Sequence, residues 1–512
     1  MDYLKKSSSI SVSTIFKLSL ILLCLLLVVV YFWKKRWLYY YSSILPGPFS
    51  LPFLGTVRVA FAGQKNIFPL FENLVKTCPL VWRVWIGNQL YVVTSRPNDI
   101  DKLLNNFLSK ENILLYDFNE ENLSSLFTSR VSVWKIHRKM INPSFNQQII
   151  NSFTGIFVKY ANVLNEGFEQ NCGKGSVDVL TMVWRCTLDT LFETLANVDP
   201  KLLRKGNDKF VCMILRYERL LTERFFNVIY HFTFFWKLSV LHKEVTQIVN
   251  DMFDHIKQLI DLHMKTKFSS IDSSSVIDAE VCNNNDNLKE KAFLNHLLTK
   301  ELTAKEVLEE TTFMFMAGSE TTALTISSVL LVLSIYPEIQ ETIYEEQCSI
   351  FADIDKDATL DDINQMNYLE RVIKETMRFL PPAPYLARDI EETTELNSHV
   401  YPAGSAALIP VWYVHKYPEF WPNPLKFDPD RFLPEEIEKR PRAAYLPFSY
   451  GYRNCIGLKY GMMSMKAILS TILRRFKIKP GKYKSIEEIE VEFHFVGKSK
   501  DGYKVAVEKR GN

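Results

Sequence analysis

The stretch that decides the fold is Phe448-Ser449-Tyr450-Gly451-Tyr452-Arg453-Asn454-Cys455-Ile456-Gly457. A thiolate that binds iron needs a tight loop of this kind, because backbone N–H groups directed at the sulfur lower its basicity and set the redox potential. The two glycines would let the backbone turn and approach a flat ring closely. Phe448 would cover the sulfur, and Arg453 would pair with an anionic haem propionate. The stretch therefore predicts a haem whose iron is bound by Cys455, with a helix behind the loop.

The chain has eight cysteines, and their spacing excludes two other roles. No Cys-x-x-Cys pair is present, so neither a zinc site nor the disulfide framework of a secreted protein is indicated. A catalytic domain that faces a reducing, cytosolic compartment fits this pattern. The eight are Cys24, Cys78, Cys172, Cys186, Cys212, Cys282, Cys348 and Cys455.

Length and composition predict one large domain with an N-terminal appendage. The 512 residues are 47% hydrophobic, and no long linker interrupts them. A chain of this size forms a large core without disulfides. The 13% aromatic content favours either an extensive apolar interior or an apolar ligand pocket, and the net charge of +3 is too small to indicate nucleic-acid binding.

Residues 15–33 form an apolar segment that would rise about 28 Å as a helix, close to the thickness of a bilayer's hydrocarbon core. A cleaved signal peptide and a buried core helix are the alternatives. No small-residue cleavage site follows, and the basic cluster Lys34-Lys35-Arg36 places the downstream chain in the cytosol, although Lys5 and Lys6 are also basic. We predict a single transmembrane anchor over 1–36, a Pro/Gly hinge over 37–55 that includes Leu45-Pro46-Gly47-Pro48, and a catalytic domain over 56–512.

The predicted fold class is mainly α with a small β-rich lobe. Between about residues 65 and 350 apolar residues recur at helical spacing. Strand-like runs are Leu80–Ile86 and Gln89–Thr94, joined by a Gly-Asn turn, and Glu488–Val496 and Lys504–Val507 near the end of the chain.

Two further segments allow more specific expectations. Residues 269–290 are polar and poor in aromatics, which predicts a surface loop. Residues 216–238 are dense in aromatics, which favours a core helix, while a mobile lid that touches both membrane and substrate is the alternative.

Four more motifs accompany the cysteine loop. Taken singly, each has a plain structural explanation, such as a surface ion pair or a buried patch of small residues. They are Trp134-Lys135-Ile136-His137-Arg138, Ala317-Gly318-Ser319-Glu320-Thr321-Thr322, Glu375-Thr376-Met377-Arg378 and Pro429-Asp430-Arg431-Phe432. Together with the cysteine loop they resemble the cytochrome P450 family, from about Pro46 to the C-terminus. The resemblance implies that family's fold around one haem b.

The resemblance implies that a central helix, over about Thr303–Ser334, lies on the side of the haem where oxygen binds. Ala317 and Gly318 would leave room above the iron. Thr321 would form a hydrogen bond with the oxygen bound to the iron, and Glu320 would deliver protons through water.

The resemblance also assigns residues to the haem propionates and to an electron donor. Trp134 and Arg138, one helical turn apart, would both donate to a propionate, and Arg388 matches the position of a third propionate-binding arginine. Lys135 and Lys139 form a pair on another face of the same helix, which would meet an acidic electron donor or simply lie in solvent.

A structural network completes the haem side of the resemblance. Glu375, Arg378 and Arg431 would lock the region behind the cysteine loop. One glutamate cannot balance two guanidinium groups, so backbone carbonyls must satisfy the remaining donors.

Finer resemblance, carried by residues 137–145, 427–432 and 455–460, is to the fourth family of cytochromes P450. In that group a glutamate at the position of Ala317 often forms an ester with a haem methyl group. Alanine cannot form the ester, and Glu320 points elsewhere because a helix turns ~100° per residue. We expect haem b to be bound non-covalently apart from the Cys455–iron bond, so that acidified organic solvent removes it completely.

The activity that the resemblance implies is monooxygenation, the hydroxylation or epoxidation of an apolar fatty acid, other lipid, hormone or xenobiotic. Electrons would come from NADPH–cytochrome P450 reductase at the endoplasmic reticulum membrane, with cytochrome b5 as a second donor, because no flavin or nicotinamide motif is visible. A haem-thiolate isomerase or dehydratase is an alternative that Glu320 and Thr321 disfavour. A haem-binding sensor or electron carrier without turnover is the other.

Overall fold

The computed structural model describes residues 12–111, 113, 114, 116, 123–206, 209–274, 293–298, 302–493 and 496–511. Its helices are α1 (Val12–Ile44), α2 (Val57–Phe61), α3 (Gly63–Thr77), α4 (Pro97–Asn106), α5 (Val131–Ile141), α6 (Gln147–Ser152), α7 (Thr154–Asn171), α8 (Leu180–Ala196), α9 (Leu202–Lys205), α10 (Lys209–Phe226), α11 (Thr233–Leu238), α12 (Val240–Ser274), α13 (Phe293–Leu298), α14 (Ala304–Ile335), α15 (Pro337–Ile350), α16 (Leu360–Gln365), α17 (Asn367–Phe379), α18 (Val411–Val414), α19 (Pro434–Glu438) and α20 (Leu458–Arg475). Its strands are β1 (Ser50–Leu51), β2 (Gly55–Thr56), β3 (Val81–Ile86), β4 (Gln89–Thr94), β5 (Ser176–Asp178), β6 (Tyr385–Asp389), β7 (Thr394–Leu396), β8 (His399–Tyr401), β9 (Ala406–Pro410), β10 (Phe476–Pro480), β11 (Val491–Phe493), β12 (Gly497–Ser499) and β13 (Lys504–Lys509). The predicted fold class, mainly α with a small β-rich lobe, is confirmed.

The N-terminal helix α1 is apolar, largely exposed and longer than predicted. It spans 33 residues, about 50 Å, and ends at Ile44, directly before the proline segment that predicts a break. Residues 37–44 of the predicted hinge are therefore helical. The folded chain after residue 44 holds this end of the helix, because Trp85 Nε1 donates to Ser42 Oγ at 2.8 Å and the Tyr39 ring stacks on Trp85 at 5.0 Å.

The β-rich lobe is built on a six-stranded sheet in the order β1-β2-β3-β4-β9-β6. The predicted hairpin is present, with Ile86 opposite Gln89 at its turn. Strand β9 runs parallel to β4 and antiparallel to β6, where Arg388 lies opposite Ala407. This register buries Arg388 inside the protein.

The central helix α14 is the axis of the helical part. Thr303 caps it, since its side chain accepts from the Glu306 N–H while the Glu306 side chain accepts from the Thr303 N–H. The helix is apolar enough to span a membrane by composition, but 83% of its most apolar window is buried. It packs against α8, α12, α17 and α20, and therefore lies in the core of the helical part.

The C-terminal strands form two small sheets. Strands β10, β13 and β5 make one of them, and β11 and β12 make a short antiparallel hairpin in which Lys498 lies opposite Glu492. Strands β11 and β13 lie within a few residues of the predicted runs Glu488–Val496 and Lys504–Val507, whereas β5 and β10 were not predicted.

The expectations for residues 269–290 and 216–238 each hold only in part. Helix α12 continues to Ser274, so the first residues of the predicted loop over 269–290 are helical, and residues 275–290 lie outside the described residues. Over 216–238 the core-helix expectation holds for α10, which buries Tyr217, whereas Phe232 and Phe234 beyond it are 55% and 69% exposed. The segment is therefore half core and half exposed apolar surface.

Candidate active site

The cysteine loop precedes α20 and closes on itself through its own backbone. The Cys455 N–H donates to the Phe448 carbonyl at 2.9 Å. Gly451 has φ +75°, and a Cβ there would lie 2.5 Å from the Leu104 carbonyl oxygen, so only glycine fits. Gly457 has φ −85°, a value that any residue can adopt. The turn of the loop therefore does not require glycine at this position, contrary to expectation. Ser449 has φ 62°, a strained value for a residue other than glycine. Nothing in the sequence predicts it.

The sulfur of Cys455 faces a cavity of about 420 Å³. Its side chain is accessible from that cavity, although the sulfur lies deep in the protein. Burial raises the pKa of the Cys455 thiol, while the Gly457 N–H and the charge of Arg138 oppose that effect. Of the described cysteines, only Cys455 lines the cavity.

Four cations line the cavity and include the predicted propionate-binding arginines. Arg388 is 1% exposed, and its Nε has no hydrogen-bond partner among the described residues. Arg138 donates to the Asn454 carbonyl at 2.9 Å, and Arg453 donates to the Leu108 carbonyl at 2.6 Å. Trp134 lies beside them, with the Arg453 guanidinium 5.1 Å from its ring. The fourth cation is Lys110, which is 5% exposed and which sequence reasoning missed.

This donor set fits haem b. A buried arginine with an unpartnered Nε, next to three more cations, indicates a ligand that carries negative charge into an apolar site. Burial lowers the pKa of Lys110 well below its ordinary value, and the charges of Arg388 and Arg453 lower it further. Two carboxylates, as on a haem, would relieve this repulsion. In the sequence Lys110 stands between Ser109 and Glu111 and belongs to no recognisable motif, which is why sequence reasoning missed it.

We expect Lys110→Met to have opposite effects on haem binding and on the empty protein. Losing one charge-assisted hydrogen bond to a propionate, about 1.5–3 kcal/mol, should speed haem transfer to a haem-scavenging apoprotein by roughly ten- to a hundredfold. The haem-free protein should become more resistant to urea, because a buried cation has been removed. The exposed Lys139→Met is the matched control and should change neither. Unchanged haem transfer in Lys110→Met would contradict the assignment.

The glutamate–arginine network has the predicted form. Arg378 donates to Glu375 through Nε at 2.8 Å and Nη2 at 2.9 Å, and Arg431 Nε lies 3.6 Å from Glu375 Oε1. Glu375 and Arg378 are 0% exposed. Backbone carbonyls take the remaining donors of Arg378, since its Nη1 donates to the carbonyls of His415 and Pro424, each at 2.9 Å, whereas Arg431 Nε has no hydrogen bond among the described residues. Burial raises the pKa of Glu375, and its hydrogen bonds with Arg378 oppose this.

The small residues of α14 line the cavity and also allow close packing between helices. Ala317 and Gly318 both line the cavity, as the resemblance implies. A Cβ at Gly318 would lie 3.1 Å from Leu191 Cδ1, so glycine there also permits the close packing of α14 on α8. Thr321 lines the cavity with its hydroxyl donating to the Ala317 carbonyl at 2.9 Å.

Glu320 lies in the cavity wall, and its partner was not predicted. It is 2% exposed, and its Oε1 lies 2.5 Å from Lys498 Nζ. His137 also has an unpredicted polar role, because its Nδ1 is 2.7 Å from Glu310 Oε1 on α14. The hydrogen bond to Glu310 raises the pKa of His137. This contact ties α5, which carries Arg138, to the central helix.

A mainly helical domain in which one cysteine faces a cavity lined by cations defines a haem-thiolate protein. The chain belongs to the cytochrome P450 family, because the family model described as Cytochrome P450 matches residues 45–507. It is 33% identical over 448 residues to cytochrome P450 4c21 of Blattella germanica, covering 85% of this chain and 87% of that protein. It is 30% identical to cytochrome P450 4g1 of Drosophila melanogaster (91% and 89% covered) and 29% identical to cytochrome P450 4V2 of Homo sapiens (84% and 82% covered).

These comparisons confirm the resemblance to the fourth family of cytochromes P450. The protein is a haem-thiolate monooxygenase that binds haem b through a cysteine thiolate.

Proposed function

We propose that the protein hydroxylates or epoxidises an apolar small molecule, with Cys455 as the axial ligand and with Trp134, Arg138, Arg388, Arg453 and Lys110 holding the propionates. When bound, haem supplies the activation of O₂ with two electrons, which inserts one oxygen atom into the substrate and releases the other as water. Phe448 covers the sulfur side. The Thr321 hydroxyl, which lines the cavity, is the hydrogen-bond partner on the cavity side, and Glu320 supplies protons there.

The observation that carries this proposal is the composition of the cavity on the α14 side. Its wall is mainly aliphatic and aromatic, with Glu218, Glu320 and the threonines of α14 as polar exceptions, which suits a fatty acid, another lipid, a hormone or a xenobiotic. Apolar lining residues include Ile113, Phe127, Leu191, Phe313, Met314 and Val496.

The electron donor that we propose is an NADPH-dependent cytochrome P450 reductase, with cytochrome b5 as a second donor. Its docking surface is the face of α5 that carries Lys135 and Lys139, both exposed. The same helix carries Arg138 on its inner side, so a donor that binds this face approaches the propionate edge.

The test is NADPH consumption with reductase and a panel of lipids and xenobiotics, preceded by a screen of the ferric haem spectrum for compounds that shift it. A monooxygenase consumes NADPH and O₂ and forms an oxygenated product. Conversion of a hydroperoxide without NADPH would instead support an isomerase or dehydratase, and an absence of turnover with every spectrally active compound would support a sensor.

We further propose that α1 anchors the protein in the endoplasmic reticulum membrane, with the catalytic domain in the cytosol. Two contacts indicate that α1 and the exposed aromatic segment after His231 lie on the same face of the protein, beside the β3–β4 turn. Lys35 Nζ donates to the Asn88 carbonyl in the β3–β4 turn. A Cβ at Gly87 in that turn would lie 2.8 Å from His231 Nδ1, so the exposed aromatic segment that follows His231 is close to the same turn. Its side chains would enter the membrane beside α1.

Two truncations should separate anchoring from folding. Deletion of residues 1–36 keeps Tyr39 and Ser42, so haem incorporation should remain intact while membrane attachment weakens. Deletion of residues 1–44 removes the Trp85–Ser42 hydrogen bond, 2.8 Å long and buried, and should lower stability by about 1–3 kcal/mol. Flotation on liposomes and urea unfolding measure the two effects. Loss of haem in the shorter deletion would contradict the proposed boundary at residue 36.

A further inference from the structure

Three charged side chains form a cluster beside the cavity, on three different elements. Lys498 of β12 lies between Glu218 of α10 and Glu320 of α14. Its Nζ is 2.9 Å from Glu218 Oε2 and 2.5 Å from Glu320 Oε1. The exposed fractions are 4% for Glu218, 2% for Glu320 and 9% for Lys498. We call these three residues the acid–lysine–acid cluster.

The charges of the cluster do not balance if all three groups are ionised. Two carboxylates and one ammonium leave one negative charge in a site that is largely buried from bulk solvent, which is unfavourable. The other described groups that face Lys498 supply no cation. Trp184 lies with its ring 5.4 Å from Nζ and donates its own N–H to Ser319, and burial raises the pKa of Tyr503 to about 12. One bound proton restores neutrality.

The hydrogen-bond geometry indicates which acid holds that proton. Glu218 accepts a well-directed hydrogen bond from Lys498 at 2.9 Å, as an ionised carboxylate should. Glu320 Oε1 is close to the same ammonium, but no hydrogen bond of good geometry reaches it among the described residues. Burial raises the pKa of Glu320 well above its ordinary value, and the charge of Glu218 raises it further.

We propose that the acid–lysine–acid cluster stores one proton on Glu320 at neutral pH, and that Glu218 and Lys498 are positioning residues that decide when Glu320 releases it. This proposal rests on the proposed function, in which Glu320 supplies protons to the reaction. On release the proton passes to a water in the cavity and Glu320 becomes a carboxylate that pairs with Lys498. A proton from another water restores the acid.

The cluster also connects proton supply to the position of α10. Glu218 and Glu320 both line the cavity, whereas Lys498 lies behind them on the β11–β12 hairpin. A displacement of α10 that separates Glu218 from Lys498 leaves the ammonium to Glu320 alone, which favours ionisation of Glu320. Substrate that shifts α10 would therefore promote proton release.

Infrared spectroscopy of the ferric holoenzyme tests the stored proton without turnover. A protonated carboxyl has a C=O stretching band that carboxylates lack, and subtraction of the Glu320→Gln spectrum assigns it. We expect this band in the native protein at neutral pH. Glu218→Gln should lose it at neutral pH, because Lys498 then pairs with Glu320 alone. Lys498→Met should retain it to higher pH than the native protein, whereas Lys498→Arg keeps the charge and should resemble the native protein.

A control uses the inverse arrangement, a glutamate that lies between two lysines. Glu370 is 2.7 Å from Lys374 Nζ and 3.1 Å from Lys466 Nζ, away from the cavity, so Glu370→Gln should leave the band unchanged. A purely structural role for the cluster would not move the band in opposite directions in Glu218→Gln and Lys498→Met. Absence of the band from the native protein at neutral pH, or no loss of it in Glu218→Gln, would overturn the proposal.

The pH dependence of turnover gives a second readout. Product formed per NADPH should fall as pH rises and Glu320 loses its proton. That fall should occur at lower pH in Glu218→Gln and at higher pH in Lys498→Met.

The experiments distinguish failure of the proton store from failure of the proposed function. Oxygenated product without the band would refute only the proton store, whereas the band without oxygenated product from any substrate would refute only the proposed function.

Discussion

Glu375→Gln is expected to destabilise the protein by about 3–5 kcal/mol, because it removes the only carboxylate from a buried network with two arginines. The amide retains the shape of the side chain but not its charge, so the buried guanidinium of Arg378 is left uncompensated. The Asp428 N–H, which donates to Glu375 Oε1 at 2.8 Å, would lose a charged acceptor as well. Arg378 donates to the His415 carbonyl, and the His415 ring accepts from the Leu446 N–H, two residues before the cysteine loop. The fraction of protein that contains haem should therefore fall sharply.

Urea unfolding of the protein without residues 1–36, followed by haem absorbance and tryptophan fluorescence, measures this loss. Glu72→Gln is the matched control, since Glu72 forms a surface pair with Lys76 at 2.7 Å and such pairs contribute less than about 1 kcal/mol. If the urea midpoints of Glu375→Gln and Glu72→Gln were equal, the network would not have the structural role that its burial indicates.

Thr321→Ala is expected to uncouple NADPH consumption from product formation. Alanine keeps the helix but removes the hydroxyl that we assign to the oxygen side of the cavity. A positioned proton-transfer group contributes roughly 10²–10⁴-fold to a rate. Product per NADPH should therefore fall tenfold or more, and hydrogen peroxide should rise in proportion, while NADPH is still consumed.

Thr471→Ala controls for the loss of a buried threonine. Its hydroxyl donates to the Ala467 carbonyl at 2.8 Å, as that of Thr321 donates to Ala317, but Thr471 lies on α20 away from the cavity. Parallel measurement of product, NADPH and peroxide distinguishes the two variants. Unchanged coupling in Thr321→Ala would refute the role of its hydroxyl.

The sequence predicts the parts of this fold that depend on local pattern. The central helix starts one residue from its predicted position because Thr303 and Glu306 form a capping box, and the hairpin at Gly87-Asn88 follows from strand alternation around a turn. The carbonyl partners of Arg378 were predicted by counting donors against charges. Each of these follows from chemistry within a few residues or within a known motif.

What the sequence does not predict depends on contacts between distant segments. Lys110 reaches the three arginines of the cavity, and Lys498 reaches Glu320, only because the chain folds them there from isolated positions. The end of α1 remains helical beyond residue 36 because Trp85 and Tyr39 meet across the proline segment. The aromatic run after Tyr217 divides into core and exposed surface according to the packing of α10, which periodicity alone does not specify.

The measurement that tests the central assignment most directly is the absorption spectrum of the reduced protein with carbon monoxide, compared between native protein, Cys455→His and Cys348→Ala. Thiolate ligation gives a strongly red-shifted Soret band. We predict this band in the native protein and in Cys348→Ala, and its loss in Cys455→His, where imidazole replaces the thiolate. A native protein without the red-shifted band, or a Cys455→His variant that keeps it, would contradict Cys455 as the iron ligand.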